Sequence, residues 1–269
     1  MLEPLPTLRP PARPAAAFAR GLPPRAALDW LARGWADLRA APASSLAYGL
    51  FVVLLSYAVL ALLYLSGLLY LALPAISGFL IIGPFFAIGL YEKSRRREAG
   101  QPISLGEMLL LRPASGGQLA YAGLLLGLLV LFWLRAADLL YALFFGITPF
   151  PGAGDALANV LTTARGWGLI LTGGAVGALF AAFAFALSLF SIPMLLVEPR
   201  DSLTALGLSF SMTVQNLPVA LAWGGIVAGG IALSVATGLL GLIVIFPVLG
   251  HGTWHAFRAI RGAPEGGPA

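Results

Sequence analysis

From Leu46 to Leu73 the chain runs for 28 residues without a charged side chain. Ala75–Tyr91, Gly166–Val197 and Leu217–Gly250 are also uncharged, and Gln118–Gly146 is broken only by Arg135 and Asp138. A helix needs about 20 apolar residues to cross the ~30 Å hydrocarbon core of a bilayer. With its apolar pattern continuing to Phe257, the last stretch would extend ~60 Å as one helix. A break near Thr237–Gly238 divides it. The expected fold is therefore an all-α polytopic membrane protein of about six crossings, over residues 46–72, 75–92, 118–146, 166–197, 217–237 and 238–258.

Composition agrees. Only 10% of residues are charged, against about 25% in soluble domains, so most of the surface must face lipid or protein. The absence of cysteine removes disulfides, iron–sulfur clusters and cysteine-held zinc. Residues 1–24 hold seven prolines and three arginines and read as a disordered cytoplasmic tail, as do residues 262–269. The span 25–261 reads as one membrane domain.

Six crossings put both termini on one side. That side collects Arg9, Arg13, Arg20, Arg25, Arg33, Arg39, Lys93, Arg95, Arg96, Arg97, Arg112, Arg200, Arg258 and Arg261. Only Arg135 and Arg165 of the 16 basic residues lie elsewhere, the bias expected of a cytoplasmic face. The expected location is a bacterial inner membrane with both termini cytoplasmic. Lys93, Arg95, Arg96, Arg97, Arg258 and Arg261 are the expected anchors at that surface.

Three short amphipathic segments precede crossings on the same face. Ala26–Ala41 places Leu28, Leu31, Trp35 and Leu38 opposite Asp29, Arg33 and Asp37. Ser104–Leu111 opens with Ser104 and Glu107, the spacing of a capping box. Ser202–Asn216 follows Asp201 as N-cap. Each reads as a helix lying in the headgroup plane, with a partner helix as the alternative occupant of its apolar side. The order interfacial helix, proline, crossing, crossing thus occurs three times, and three pseudo-repeated hairpins are expected. Pro84, Gly89, Tyr91 and Arg95 share their spacing with Pro247, Gly252, Trp254 and Arg258. The middle set departs from this pattern at Pro193 and Glu198.

Few residues can carry chemistry. Arg135 and Asp138 can pair at i and i+3, and an ionisable pair within a crossing points to a counter-ion, relay or gate. The plainer reading puts them at the far interface, a depth that Trp133 and Tyr141 would mark. His251 and His255, at i and i+4, could hold zinc or contribute to a haem site, but further ligands would have to converge on them. Packing near the interface is the plainer reading, and no metal or other cofactor is expected. Asp155 is expected to cap a short helix through Asn159. No nucleophile elbow, zinc-binding HExxH or phosphate loop occurs, so an enzyme is not expected.

The stretches Leu46–Gly49, Gly83–Phe85, Gly89–Glu92, Ser94–Gly100 and Trp133–Arg135 resemble a bacterial family of predicted integral membrane proteins, domain of unknown function 2189. The likeness continues through Leu140–Gly146 and Pro193–Glu198, spanning roughly Asp29 to Arg261. It implies an inner-membrane protein without an assigned activity and brings no catalytic residues. The functional expectation is a non-catalytic accessory, assembly or scaffold component of a membrane complex. Its partners would be the bilayer and another membrane protein, not nucleic acid. The alternative is a small-solute transporter or channel using the Arg135–Asp138 pair.

Overall fold

The computed structural model describes residues 18–146 and 153–262, and every regular element among them is helical. Three short helices each precede long ones. Helix α1 (Ala26–Ala40) leads into α2 (Pro42–Leu65) and then α3 (Ala72–Phe86) and α4 (Ile88–Glu98). Helix α5 (Leu105–Leu109) leads into α6 (Gly116–Phe145), α7 (Ala153–Thr162) and α8 (Ala164–Val197). Helix α9 (Ser202–Gln215) leads into α10 (Leu217–Ala236) and α11 (Leu242–Arg261).

Five helical spans are long and apolar enough to cross a membrane: Pro42–Leu65, Pro74–Glu98, Gly116–Phe145, Ala164–Val197 and Leu217–Ala236. Helix α11 has the length, with 20 residues, but its second half carries His251, His255, Arg258 and Arg261 and is far more polar. It is separate from α10, as the length argument requires. After α10, Gly238 adopts a left-handed φ of 62°, and Leu239 N–H returns to Ser234 O at 2.6 Å. This 6→1 bond closes the helix end and favours glycine at the left-handed position.

The same device ends α2, at Gly67 with φ 70° and Leu68 N–H bonded to Leu63 O. The first hairpin therefore turns at Ser66–Leu68, before the position expected from Pro74. Pro74 sits in the first turn of α3, where a proline has little N–H bonding to lose. Pro84 lies deeper, and α3 stops two residues later, restarting as α4 beyond Ala87. The Tyr48 hydroxyl donates to Phe86 O at this break (2.8 Å). Helix α11 runs through its own Pro247 without interruption.

Capping follows the residues expected of it at two of three sites. Ser104 and Glu107 form the reciprocal capping box of α5, and Asp201 accepts from Thr204 N–H at the start of α9. Asp155 is instead the third residue of α7. The expected tails lie outside the described residues except at 18–24 and at Gly262, whose N–H closes the end of α11 on Arg258 O. Residues 18–24 are docked, not free: Ala19 N–H bonds Ile260 O at 2.8 Å, and Asn216 bonds both Leu22 N–H and Ala19 O.

The packing runs in a ring. Helix α4 lies against α5, α8 against α9, and α11 against α1. Helix α11 is the most enclosed, with Leu242 and Phe246–Phe257 buried against α1, α2, α4 and α10. Its contact with α1 is at backbone distance. A Cβ on Gly34 would fall on Val248 O and the backbone of Gly252, and a Cβ on Gly252 would strike Trp30 O and the Trp223 ring. Small residues permit this approach, which helps hold helices together where lipid supplies no hydrophobic drive. Trp30 meets Trp223 edge-on beside it, with centroids 5.9 Å apart.

Candidate functional site

The arginine-rich ends of α4 and α11 and the start of α2, with α1 laid across them, enclose a row of buried polar groups. Helix α4 supplies Lys93 and Ser94, then Arg97 and Glu98 one turn later. Helix α11 supplies His251 and His255, one turn apart and on one face. The start of α2 adds Ser44 and Ser45, and α1 adds Asp37.

These groups form a continuous hydrogen-bonded chain. Lys93 is 4% exposed, and its Nζ donates to Ala41 O (2.6 Å), Ser44 Oγ (2.9 Å) and Ser45 Oγ (2.6 Å). Ser45 Oγ lies 2.9 Å from His251 Nε2, and His251 Nδ1 lies 2.8 Å from Ser94 Oγ. Ser94 donates to Asp37 Oδ2 at 2.5 Å, and His255 Nε2 is 2.9 Å from the same oxygen. Arg97 pairs with the other oxygen, Asp37 Oδ1. Outward, His255 Nδ1 faces Glu98 at 3.6 Å, and Glu98 faces Arg258 at 3.4 Å.

Burial alone would raise the Asp37 carboxyl, but the hydrogen bonds from His255 and Ser94 outweigh it and hold it below its ordinary value. The carboxylate is thus charged and shared between α4 and α11. A buried charge with its partners removed is costly, so this arrangement fixes the seat of α1.

The expected anchors are spent within the protein. Lys93 is inside the row; Arg95 and Arg96 both bond Glu92, and Arg96 also reaches Glu107. Arg97 holds Asp37, Arg258 faces Glu98, and Arg261 bonds Glu198 beside Arg200. Each of the six therefore has a carboxylate or a buried oxygen of this chain in reach. At α5, the Ser104 N–H, Arg96 and the Ser104 hydroxyl together lower the Glu107 carboxyl to about 2.

Arg135 and Asp138 do pair, at 3.2 Å, but on the outside of α6, with side chains 80% and 40% exposed. At 1.5 Å per residue, Arg135 lies about 28 Å along the axis from Gly116. That is close to the full thickness of a bilayer's hydrocarbon core. The histidines do come together, yet they do not share a ligand position. Both nitrogens of His251 are taken by serine hydroxyls and one of His255 by Asp37, and no group of three metal-ligating side chains occurs among the described residues. A separate apolar cleft lies between α3, α8, α10 and α11, lined by Phe79, Phe185, Ile231 and Phe246 among others.

Asp37 is the residue that sequence reasoning misplaced. It belongs with Asp29 and Arg33 by polarity, yet it shares a face with the buried Ala27, Trp30 and Gly34. The spacing 27, 30, 34, 37 was the available signal: a second buried face, marked by the glycine.

Residues 71–197, from the turn before α3 to the end of α8, match the family model described as predicted integral membrane protein, DUF2189. The chain carries the DUF2189 segment. It is a multi-pass integral membrane protein. No curated protein and no solved structure matches it. The DUF2189 segment contains Lys93, Ser94, Arg97 and Glu98, while Asp37, Ser44, Ser45, His251, His255 and Arg258 lie outside it. Four of these ten residues thus come from the matched segment and six from the helices flanking it.

Proposed function

We propose that this protein is a non-catalytic scaffold or accessory component of a membrane complex, in a bacterial inner membrane with both termini cytoplasmic. The observation that carries the reading is the use made of the ionisable residues at the arginine-rich end. Asp37, Glu92, Glu98 and Glu198 are committed to ion pairs with this chain's own basic residues, and Asp37, Glu98 and Glu198 tie separate helices into one arrangement. A face held this firmly is suited to presenting a surface. Its short helices leave apolar side chains exposed, at Leu28 and Trp35 of α1 and at Leu203, Phe210 and Val214 of α9.

In this reading α11 is the sixth crossing, its polar half shielded from lipid by α1 and α4. The ring of contacts α4–α5, α8–α9 and α11–α1 supports three related hairpins about an axis along the membrane normal. The exposed place of Arg135 and Asp138 lends the transporter alternative no support.

Extraction in mild detergent tests the proposal. Stoichiometric co-purification of another membrane protein, photo-crosslinked through probes placed at Trp35 or Phe210, is the expected result. A monodisperse single species that conducts a solute flux in liposomes would overturn it.

A further inference from the structure

We infer that the row Lys93–Ser45–His251–Ser94–Asp37 is an oriented proton relay, with His251 held as the neutral Nδ1–H tautomer and the outer end reached through His255 and Glu98.

Two constraints give the same tautomer. At one end, an ammonium has three hydrogens and accepts none. Lys93 directs one at each of Ala41 O, Ser44 Oγ and Ser45 Oγ. Ser45 therefore accepts from Lys93, which leaves its own hydrogen for His251 Nε2, 2.9 Å away, the direction that the other end of the row requires. At the other end, an ionised carboxylate only accepts. Ser94 gives its hydrogen to Asp37, so its oxygen accepts from His251 Nδ1–H at 2.8 Å. Every donor in the row points from Lys93 towards Asp37.

Such a row has one partner state. If Lys93 passes a proton to Ser45, Ser45 passes its own to His251 Nε2, His251 releases its Nδ1 proton to Ser94, and Ser94 passes its own to Asp37. The sum is one proton moved from ammonium to carboxylate, leaving an amine, a carboxylic acid and the Nε2–H tautomer, with no change in net charge. On the solvent side of Asp37, His255 Nε2–H donates to Asp37 Oδ2, and its Nδ1 lies 3.6 Å from the partly exposed Glu98, a gap that a small turn of the Glu98 side chain closes for exchange with solvent. The charged and titratable groups facing this path are Asp37 from α1, Lys93, Arg97 and Glu98 from α4, and His251, His255 and Arg258 from α11. The two serines are the switching elements, each turning one hydroxyl. The relay stands on this geometry and is independent of the scaffold reading.

Nitrogen NMR of the ¹⁵N-histidine-labelled protein in lipid nanodiscs reads the tautomer directly, and the chain has only two histidines. The expected His251 signal is a neutral ring protonated at Nδ1 between about pH 5 and pH 8, where a free imidazole would change charge. An imidazolium, or a ring protonated at Nε2, in the unaltered protein would overturn the inference. His255→Gln assigns the signal. Ser94→Ala then tests the path: solvent exchange of the His251 ring proton should slow at least about tenfold, the factor set by losing one hydrogen bond of the row. Unchanged or faster exchange in Ser94→Ala would sink the relay. If that variant does not fold, the tautomer in the unaltered chain still decides.

Discussion

Replacing Asp37 with alanine should unfasten α1, and a double-mutant cycle with His255 can apportion the loss. Three groups lose their partner at once: the Ser94 hydroxyl, His255 Nε2 and the Arg97 guanidinium. Ser94 is fully buried and His255 nearly so, so each orphaned group costs about 1–2 kcal/mol. Arg97 is 43% exposed and can turn to water, which keeps its share small. The sum is about 3 kcal/mol, at the low end for a broken buried ion pair. His255→Ala removes one of the two donors to Asp37 Oδ2, leaving the carboxylate held by Ser94 and Arg97, and should cost roughly half as much. Because the two residues share one contact, the double variant should be more stable than the summed singles predict, by about 1–2 kcal/mol. Equilibrium unfolding by SDS titration in mixed micelles, followed by tryptophan fluorescence, measures all four corners of the cycle. Costs that add to within about 0.5 kcal/mol would refute direct coupling. A loss below about 1 kcal/mol for Asp37→Ala would refute the claim that this carboxylate seats the helix.

Gly252→Leu should prevent α1 from docking, because the new side chain would meet Trp30 O and the Trp223 ring; detergent-solubilised protein would then show rapid amide exchange across Ala26–Ala40, and native-like protection there would contradict the close approach. Acid should release α1 only late. A lowered carboxyl contributes stability that is complete above its unfolded value of 3.8 and is lost as pH falls through the lower folded value, so protection of α1 should persist at pH 5; loss already near pH 6 would assign the clamp to another group. Arg135→Ala with Asp138→Ala should change unfolding free energy by less than about 1 kcal/mol, as for other exposed pairs, and a larger loss would show that the pair is buried by a partner.

The crossings were legible because hydrocarbon imposes one rule on every residue of a span, and length with charge is enough to apply it. Helix ends were less so. Pro74 attracted the first hairpin turn, yet a proline in the first turn of a helix breaks nothing, and Gly67 three residues after the last tyrosine of α2 made the turn instead. The histidine spacing at 251 and 255 was visible, but its meaning was not, since Ser45 and Asp37 come from more than 200 residues earlier. Polarity also misled. Asp37 and Lys93 carry charges that favour water, and only the fold reveals that each has enough partners to be enclosed. For the basic run Arg95–Arg97, likewise, sequence displays the cations but not the carboxylates that face them, Glu92, Glu107 and Asp37.

The polar half of α11 explains why the two ends of the chain are joined. Residues His251 to Arg261 form a helix that lipid would not accept bare, because two imidazoles and two guanidiniums there would lack partners. Helix α4 covers one side with Ser94 and Glu98, and α2 reaches His251 through Ser45. The remaining side needs a cover that is small enough for backbone contact at Gly252 and carries a negative charge near His255. Helix α1 has Gly34 and Asp37 one turn apart on a single face and meets both requirements. The docked residues beyond it, where Ala19 bonds Ile260, extend the same seal to the end of α11. The amphipathic helix before the first crossing is therefore part of the core of this bundle, and the last helix of the chain supplies the surface on which the first helix is ordered.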